Sequence, residues 1–228
     1  MTAPAMSAPA MSARDRILAR LRSGGLTPIP DRPEWQPPVY GDEDRKDRFK
    51  ALLEAAHADV HEVDADTWPH RLQAILDNKG VRRMLFAPAT PSGAKLAEAW
   101  AGTSAPQLVP YDETVERLKP VLVHEVEASL TTARGGIAQT GSLVLWPTPE
   151  EPRLMSLLPP IHVVLVRQAD LTDSLAQTIA AQGWSSGMPT NVVLVSGPSK
   201  TADIEQTLAY GVHGPKELIV LLVTEGAS

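Results

Sequence analysis

The 228-residue sequence contains no cysteine. That absence removes disulfides, thiol nucleophiles and thiolate metal sites together. It also means that this chain cannot by itself hold an ordinary iron–sulfur cluster, whose irons are bound by cysteine thiolates. Apolar runs stay far short of the ~20 residues that span a bilayer. Basic charge is not in excess: 21 Lys and Arg against 27 Asp and Glu give a formal charge of −6, with a pI near 5.5. A dedicated nucleic-acid surface would carry a basic patch or stripe, and no polybasic run marks a membrane-binding segment. The start, MTAPAMSAPAMSAR, has neither the basic opening nor the leucine-rich centre of a secretory signal. The expectation is a cytoplasmic protein with no nucleic-acid partner and no membrane insertion.

What is present is ordinary globular material, 43% apolar and 21% charged. This length suits one domain, with or without an arm, burying roughly 70% of its unfolded surface. The first eleven residues carry a tandem Ala-Pro-Ala-Met-Ser and are expected to be disordered. A short helix follows, with Ser12 as its cap, Asp15 in its first turn, Ile17, Leu18 and Leu21 on one face, and Gly24-Gly25 as its stop. Residues 27–40 hold Pro28, Pro30, Pro33, Pro37 and Pro38, which keep the backbone near polyproline II. This stretch reads either as a linker or as an arm anchored by Trp35, which would serve assembly, including a homo-oligomer. The division expected is 1–41 for start, helix and arm, and 42–228 for the main domain.

From Asp42 helical and strand patterns alternate. Helices are expected around Phe49–Ala56 and Trp68–Leu76, with shorter ones at 95–100, 113–118, 172–182 and 202–210. Strands are expected at 60–63, 81–87, 107–109, 121–130, 142–146, 161–166, 191–195 and 218–223. Runs such as IHVVLV, NVVLV and LIVLLV are apolar on both faces, as in strands covered by helices on both sides. The pattern predicts a doubly wound α/β fold with a mostly parallel sheet. Ligands in such folds sit beyond the carboxyl ends of strands.

Three turns are candidates for chemistry. Residues 196–205 follow the strand at 191–195 and lead into the helix expected at 202–210. Gly197 permits close approach, Ser196, Ser199 and Thr201 offer hydroxyls, and Lys200 with free helical amides favours an anion. The same residues also make an ordinary helix cap. Asp203 and Glu205 could perform acid–base work there or merely sit in a first turn. Residues 135–142, GGIAQTGS, place Gly136 and Gly141 in a backbone that something approaches closely, or in a tight crossover. Gln139 and Thr140 can hydrogen-bond a substrate but supply no strong base. The glycine spacing is not that of a dinucleotide fingerprint. His213, flanked by glycines at 211–214, could reach a ligand or simply bond its own turn. His57 and His61 lie four apart without a third ligand nearby, so no metal site is expected. His162 opens a buried strand and reads as structural. Residues 153–160 read as a helix closed by two prolines, with Arg153 a possible carboxylate partner, and Trp68, Trp100, Trp146 and Trp184 as core or interface filler.

Taken together and in order, GGIAQTGS at 135–142, RLMSLLPPIHVVLV at 153–166 and SGPSKTADIEQTLAYGVHGPKELIVLLV at 196–223 resemble the LUD-domain family, and within it the lactate utilization protein C group. The resemblance implies a fold like that of glucosamine-phosphate isomerase, ribose-phosphate isomerase and CoA transferases. It implies a role in oxidising L-lactate to pyruvate beside two iron–sulfur partner proteins, with no cofactor in this chain. Many relatives carry Glu before the Thr-Gly where this chain has Gln139; were that carboxylate the base, Asp203 or Glu205 would be left to replace it. Three readings stand side by side: a subunit of a lactate-oxidising system, a free-standing enzyme binding a small anionic metabolite at 196–205, and a packing role for both turns.

Overall fold

The computed structural model describes residues 11–24, 35–202 and 208–224, with the backbone alone described at 201–202 and 208–210. The chain divides into two compact units, 1–36 and 37–228. In the first, α1 (Ala13–Ser23) forms as its sequence dictates. The Ser12 hydroxyl accepts from the Asp15 amide at 3.1 Å, and the Gly24 amide closes the last turn on Arg20. No α1 residue is buried. Trp35 is 60% exposed. The start expected to be disordered (1–10) and most of the proline-rich stretch (25–34) lie outside the described residues.

In the second unit, six parallel strands form the central sheet in the order β1 (Asp59–Asp64), β11 (Glu217–Thr224), β6 (Ile161–Arg167), β4 (Ala128–Ile137), β2 (Arg83–Phe86), β3 (Gln107–Pro110). Leu130, Val163 and Ile219 are neighbours across three strands. On that face they meet Trp68, Leu72 and Leu76 of α3 (Trp68–Asn78) and Leu96 and Trp100 of α4 (Pro91–Trp100). On the other face, Phe49 and Leu53 of α2 (Asp42–Ala55) cover Val164, Val220 and Leu222. Leu122 of α5 (Val115–His124) covers Leu85 and Val109. Helices thus lie on both faces of a mostly parallel sheet. Each fully buried Leu or Val contributes about 1.5–3 kcal/mol.

β4 is the strand that departs from the parallel pattern. From Ala133 onward, with a bulge between Ala133 and Gly135, it pairs antiparallel with β5 (Ser142–Leu145), which pairs antiparallel with β8 (Val193–Val195). It also takes β7 (Leu171–Thr172) as a parallel neighbour. α6 (Leu175–Ala181) follows, with Ser174 accepting from the Gln177 amide.

Three expectations need correction. The strand expected at 121–130 is helix α5 as far as His124 and strand only from Ala128. Leu118, Val121 and Leu122 carry a helical i, i+3, i+4 spacing that packs on β2 and β3, and this burial overrides the β-branched run. The helix expected at 202–210 is instead an antiparallel pair, β9 (Lys200–Ala202) with β10 (Leu208–Tyr210). Its base is tied by the Gly211 amide donating to the Ser199 carbonyl at 2.8 Å and the Ser199 amide donating to Pro215 at 2.9 Å. Residues 153–160 hold only a single 3₁₀ turn, Arg153–Ser156, because Pro159 and Pro160 leave no length for a helix.

Candidate functional site

The parallel strands end in a cleft of about 700 Å³ that no described residue of the three sequence-derived turns lines. β2 delivers the chain through Ala87-Pro88-Ala89 to Thr90, whose hydroxyl accepts from the Gly93 amide at 3.1 Å and donates to the Ala87 carbonyl at 2.8 Å. Gly93 is required here: a Cβ would lie 1.8 Å from the Ala87 oxygen, so only glycine lets α4 pack this close to the strand end. β4 contributes Thr132, Ala133 and Arg134, and β6 contributes Leu165 and Arg167. The loop after β5 adds Trp146, Thr148, Glu150 and Glu151.

Each cation of the cleft is held by a local partner. The Arg134 guanidinium lies 3.9 Å from the centroid of the Trp146 ring and donates to the Gln182 carbonyl at 3.0 Å. Trp146 in turn packs against Trp184, ring centroids 5.5 Å apart. Arg167 grips Asp170 with two bonds of 2.7 and 2.8 Å. Lys95 reaches the Ala65 carbonyl at 2.7 Å and Asp66 at 2.9 Å. Glu151 differs from all of these. Its Oε2 accepts from the Thr132 amide at 2.9 Å and the Thr132 hydroxyl at 2.6 Å. Among the described residues it has no ion pair. Burial pushes its carboxyl above the usual carboxylate range, the neighbouring Glu150 adds to that, and the two Thr132 bonds only partly offset it.

The sequence-derived residues gather elsewhere, at the amino ends of β6 and β11. Ser196, Gly197, Ser199 and His213 line one cavity of about 190 Å³ together with His162 and Leu218. A run of hydroxyls, Thr140 to Ser142 at 2.8 Å and Ser142 to Ser196 at 2.7 Å, joins this cavity to the GGIAQTGS segment. Lys200 and His213 are exposed. Thr201 has only its backbone described, and Asp203 and Glu205 lie outside the described residues. With strands β9 and β10 in place of the expected helix there is no helix N-terminus to offer amides to an anion, and β8 is a ribbon strand, so the carboxyl-end rule does not place a ligand after it.

The close approach expected at the glycines is made by the protein's own packing atoms. A Cβ on Gly136 would meet Leu171 and Phe49 at 2.6 Å, one on Gly141 would meet Leu52 at 2.5 Å, and one on Gly197 would meet the Ala56 carbonyl at 2.7 Å. Helix α2 and its C-terminal cap therefore press on all three. Gly141 has a φ of +60°, which favours glycine independently. Gln139 is half-buried, its amide donating to the Asp173 carbonyl at 3.0 Å. His162 is fully buried, its Nε2 2.8 Å from the Thr131 hydroxyl, and desolvation lowers its pKa to about 3, so the imidazole is neutral. Trp68, Trp100 and Trp184 are buried as expected, whereas Trp146 lines the cleft. Arg153 has no ion pair among the described residues. His57 and His61 fall at a helix end and on β1, and no cluster of three potential metal-binding side chains exists among the described residues. No helix among them is long and apolar enough to cross a membrane.

Sequence reasoning missed Thr132, Arg134, Trp146, Glu151 and Arg167. The strand-end rule applied to the strands at 121–130, 142–146 and 161–166, rather than to 191–195, was the signal that could have found them.

Comparisons with known proteins agree with this architecture. An uncharacterized protein of Neisseria meningitidis serogroup B is 33% identical over 93% of this chain and 94% of its own. The lactate utilization protein C of an Exiguobacterium species is 26% identical over 80% of this chain and 79% of its own. The crystal structure of a DUF162 family protein from Deinococcus radiodurans superposes with a TM-score of 0.58 at 21% identity, covering 81% of this chain and 99% of that one, a likeness of fold. The sequence model of the LUD domain matches residues 46–223, from the second turn of α2 to the end of the sheet, and the chain belongs to the LUD-domain family.

Proposed function

We propose that this chain serves lactate utilization, as the cysteine-free member of an assembly that oxidises L-lactate to pyruvate and passes the electrons to iron–sulfur partner proteins. Its own part is to hold a small carboxylate in the cleft beyond β2, β4 and β6. Family membership and the name borne by relatives such as the Exiguobacterium protein support the first statement. The missing cysteines support the division of labour, because the electrons must leave through ligands this chain does not have.

One observation carries the second statement: Arg134, Arg167 and Lys95 converge on a single cleft at the carboxyl ends of parallel strands. Guanidinium groups pair well with carboxylates, and their fixed partners reduce the entropy lost when a ligand arrives. At about 700 Å³ the cleft has room for more than a three-carbon acid, which leaves space for a partner's redox group to approach. Purified alone, the chain should show no dye-linked lactate oxidation; purified from its native cell, it should bring iron–sulfur proteins with it. Calorimetric titration should detect L-lactate or pyruvate, weakened by Arg134→Ala. Robust turnover by the isolated chain would refute the assembly, and binding untouched by Arg134→Ala and Arg167→Ala would refute the site.

The 190 Å³ cavity favours a second reading, because it unites Ser196, Gly197, Ser199 and His213 from separate segments. On this reading the chain is a free-standing enzyme for a small anionic metabolite such as an acyl-CoA, a sugar phosphate or a hydroxy acid. Hydroxyls and Lys200 would bind the anion, and His213, Asp203 or Glu205 would move the proton. Ser199→Ala, Lys200→Ala and Asp203→Asn would then abolish anion stabilisation while Arg134→Ala leaves it intact.

A further inference from the structure

Glu150 and Glu151 are carboxyls of the cleft that the proposed binding role does not use; Glu150 is exposed, whereas the setting of Glu151 is built rather than incidental. The turn that carries it is closed from both ends: the Glu151 amide donates to the Thr148 hydroxyl at 3.0 Å, and the Thr148 amide donates to the Glu151 carbonyl at 3.2 Å. That turn lowers the side chain onto the end of the parallel stretch of β4, where Thr132 commits Oε2 through two bonds. Among the described residues Oε1 has no hydrogen bond, and it is not among their sealed, unpartnered atoms. It is thus the oxygen left to face a ligand.

The charges around it point the same way. Lys95 of α4, Arg134 of β4 and Arg167 of β6 face the cleft with Glu150 and Asp170, and Arg153 adjoins the Glu151 turn from behind. Lys95 and Arg167 are already paired with Asp66 and Asp170, and Arg134 lies over Trp146. With Glu151 ionised, the four cations (Lys95, Arg134, Arg153, Arg167) and four carboxylates (Asp66, Glu150, Glu151, Asp170) of the cleft and its rim cancel. With Glu151 neutral, one positive charge is left to meet a monoanion.

We propose that Glu151 stands in the cleft as a carboxylic acid, with Thr132 fixing Oε2 and Oε1 presenting a proton as a hydrogen bond to an oxygen of a bound 2-hydroxy or 2-oxo monocarboxylate, whose own carboxylate lies toward Arg134. This rests on the cleft being the ligand site of the function proposed above. Burial supplies the physical means, since a desolvated carboxyl favours its neutral form. An ionised Glu151 would instead set a negative oxygen against the ligand. The arrangement distinguishes such acids from plain carboxylates, which lack the second oxygen to accept the proton.

The test is calorimetric titration of the full chain with L-lactate, pyruvate and propionate at about pH 5, 6, 7 and 8. L-lactate or pyruvate should bind more tightly than propionate, with affinity falling up to tenfold per pH unit once the raised pKa is passed. Glu151→Gln keeps an oxygen for Thr132 and offers a permanent N–H donor, so its affinity should be nearly independent of pH. Thr132→Val removes a bond that holds the carboxyl down, so the fall should move to higher pH. A merely structural Glu151 would move none of these readouts. Binding that persists with no pH dependence, or a Glu151→Gln variant that keeps the wild-type profile, would overturn the role of Glu151 while leaving the cleft in place. No binding of either oxyacid at any pH would overturn both.

Discussion

The salt bridge between Arg45 and Asp173 gives the most stringent test of how the domain holds together. Asp173 follows β7 and its side chain is only 4% exposed; Arg45, in the first turn of α2, is 23% exposed and donates Nε to it at 2.5 Å. The same guanidinium caps the Tyr40 carbonyl and pairs with Asp42, so one side chain fixes the start of α2 on the ribbon. Replacing Arg45 by Met leaves a carboxylate buried without its cation. Breaking a buried pair costs about 3–5 kcal/mol, and the partial exposure of Arg45 places this case near about 3 kcal/mol. In a domain of this size that lowers Tm by about 6–12 °C. Burial pushes the Asp173 pKa up, but the Arg45 bond, the Tyr40 amide and the Arg45 charge together hold it below the ordinary value. A depressed folded pKa contributes stability that is full above the unfolded carboxylate pKa and is lost as pH falls through the folded one. The gap between wild type and Arg45→Met should therefore be full at neutral pH and close below about pH 4. Urea melts of Arg45→Met, Asp173→Asn and the double variant at several pH values measure this. The double variant should cost clearly less than the sum of the two singles. Additive costs, or an Arg45→Met penalty under about 1 kcal/mol, would refute the reasoning.

Three further outcomes follow from the packing. Gly93→Ala places a methyl 1.8 Å from the Ala87 oxygen; α4 must shift, at a cost of about 1–3 kcal/mol, and a thermal melt matching wild type would contradict the close approach. His162→Gln should change the pH profile of stability: the wild-type imidazole, with its folded pKa lowered to about 3 from 6.5, contributes fully above the unfolded pKa and loses up to about 1.4 kcal/mol per pH unit as pH falls below it. The variant should lack that slope in denaturant melts between the two values. Trp146→Leu removes the ring under Arg134 and the neighbour of Trp184; it should cost about 1–2 kcal/mol and shift the Trp184 emission, and unchanged fluorescence would show that the two rings do not meet in solution.

Much of the fold was legible because burial is written locally. LIVLLV is apolar at every step and IHVVLV at every step but His162, and only strands covered on both faces need that. Ser12 stands at a helix start with its side chain accepting the Asp15 amide, as expected, and the structure shows Thr90 and Ser174 capping α4 and α6 in the same way. What misled were segments where neighbours outweighed the local pattern. The run at 121–123 looks like strand but packs as helix on Leu85 and Val109, and 200–210 becomes a strand pair because Ser199 is tied to both Gly211 and Pro215. The glycines at 136, 141 and 197 advertised a close approach correctly without saying that α2 makes it.

The sequence by itself determined most of the elements, the absence of thiol chemistry and the family, since each depends on residue identity and short-range spacing. Only the tertiary structure decided which strand ends face the cleft. β4 leaves the parallel sheet at the Ala133/Gly135 bulge, and the returning chain then lays Glu151 on Thr132, nineteen residues earlier. That contact depends on sheet register and on the path of a connecting loop, which are settled by packing between distant segments and leave no periodic trace in the chain.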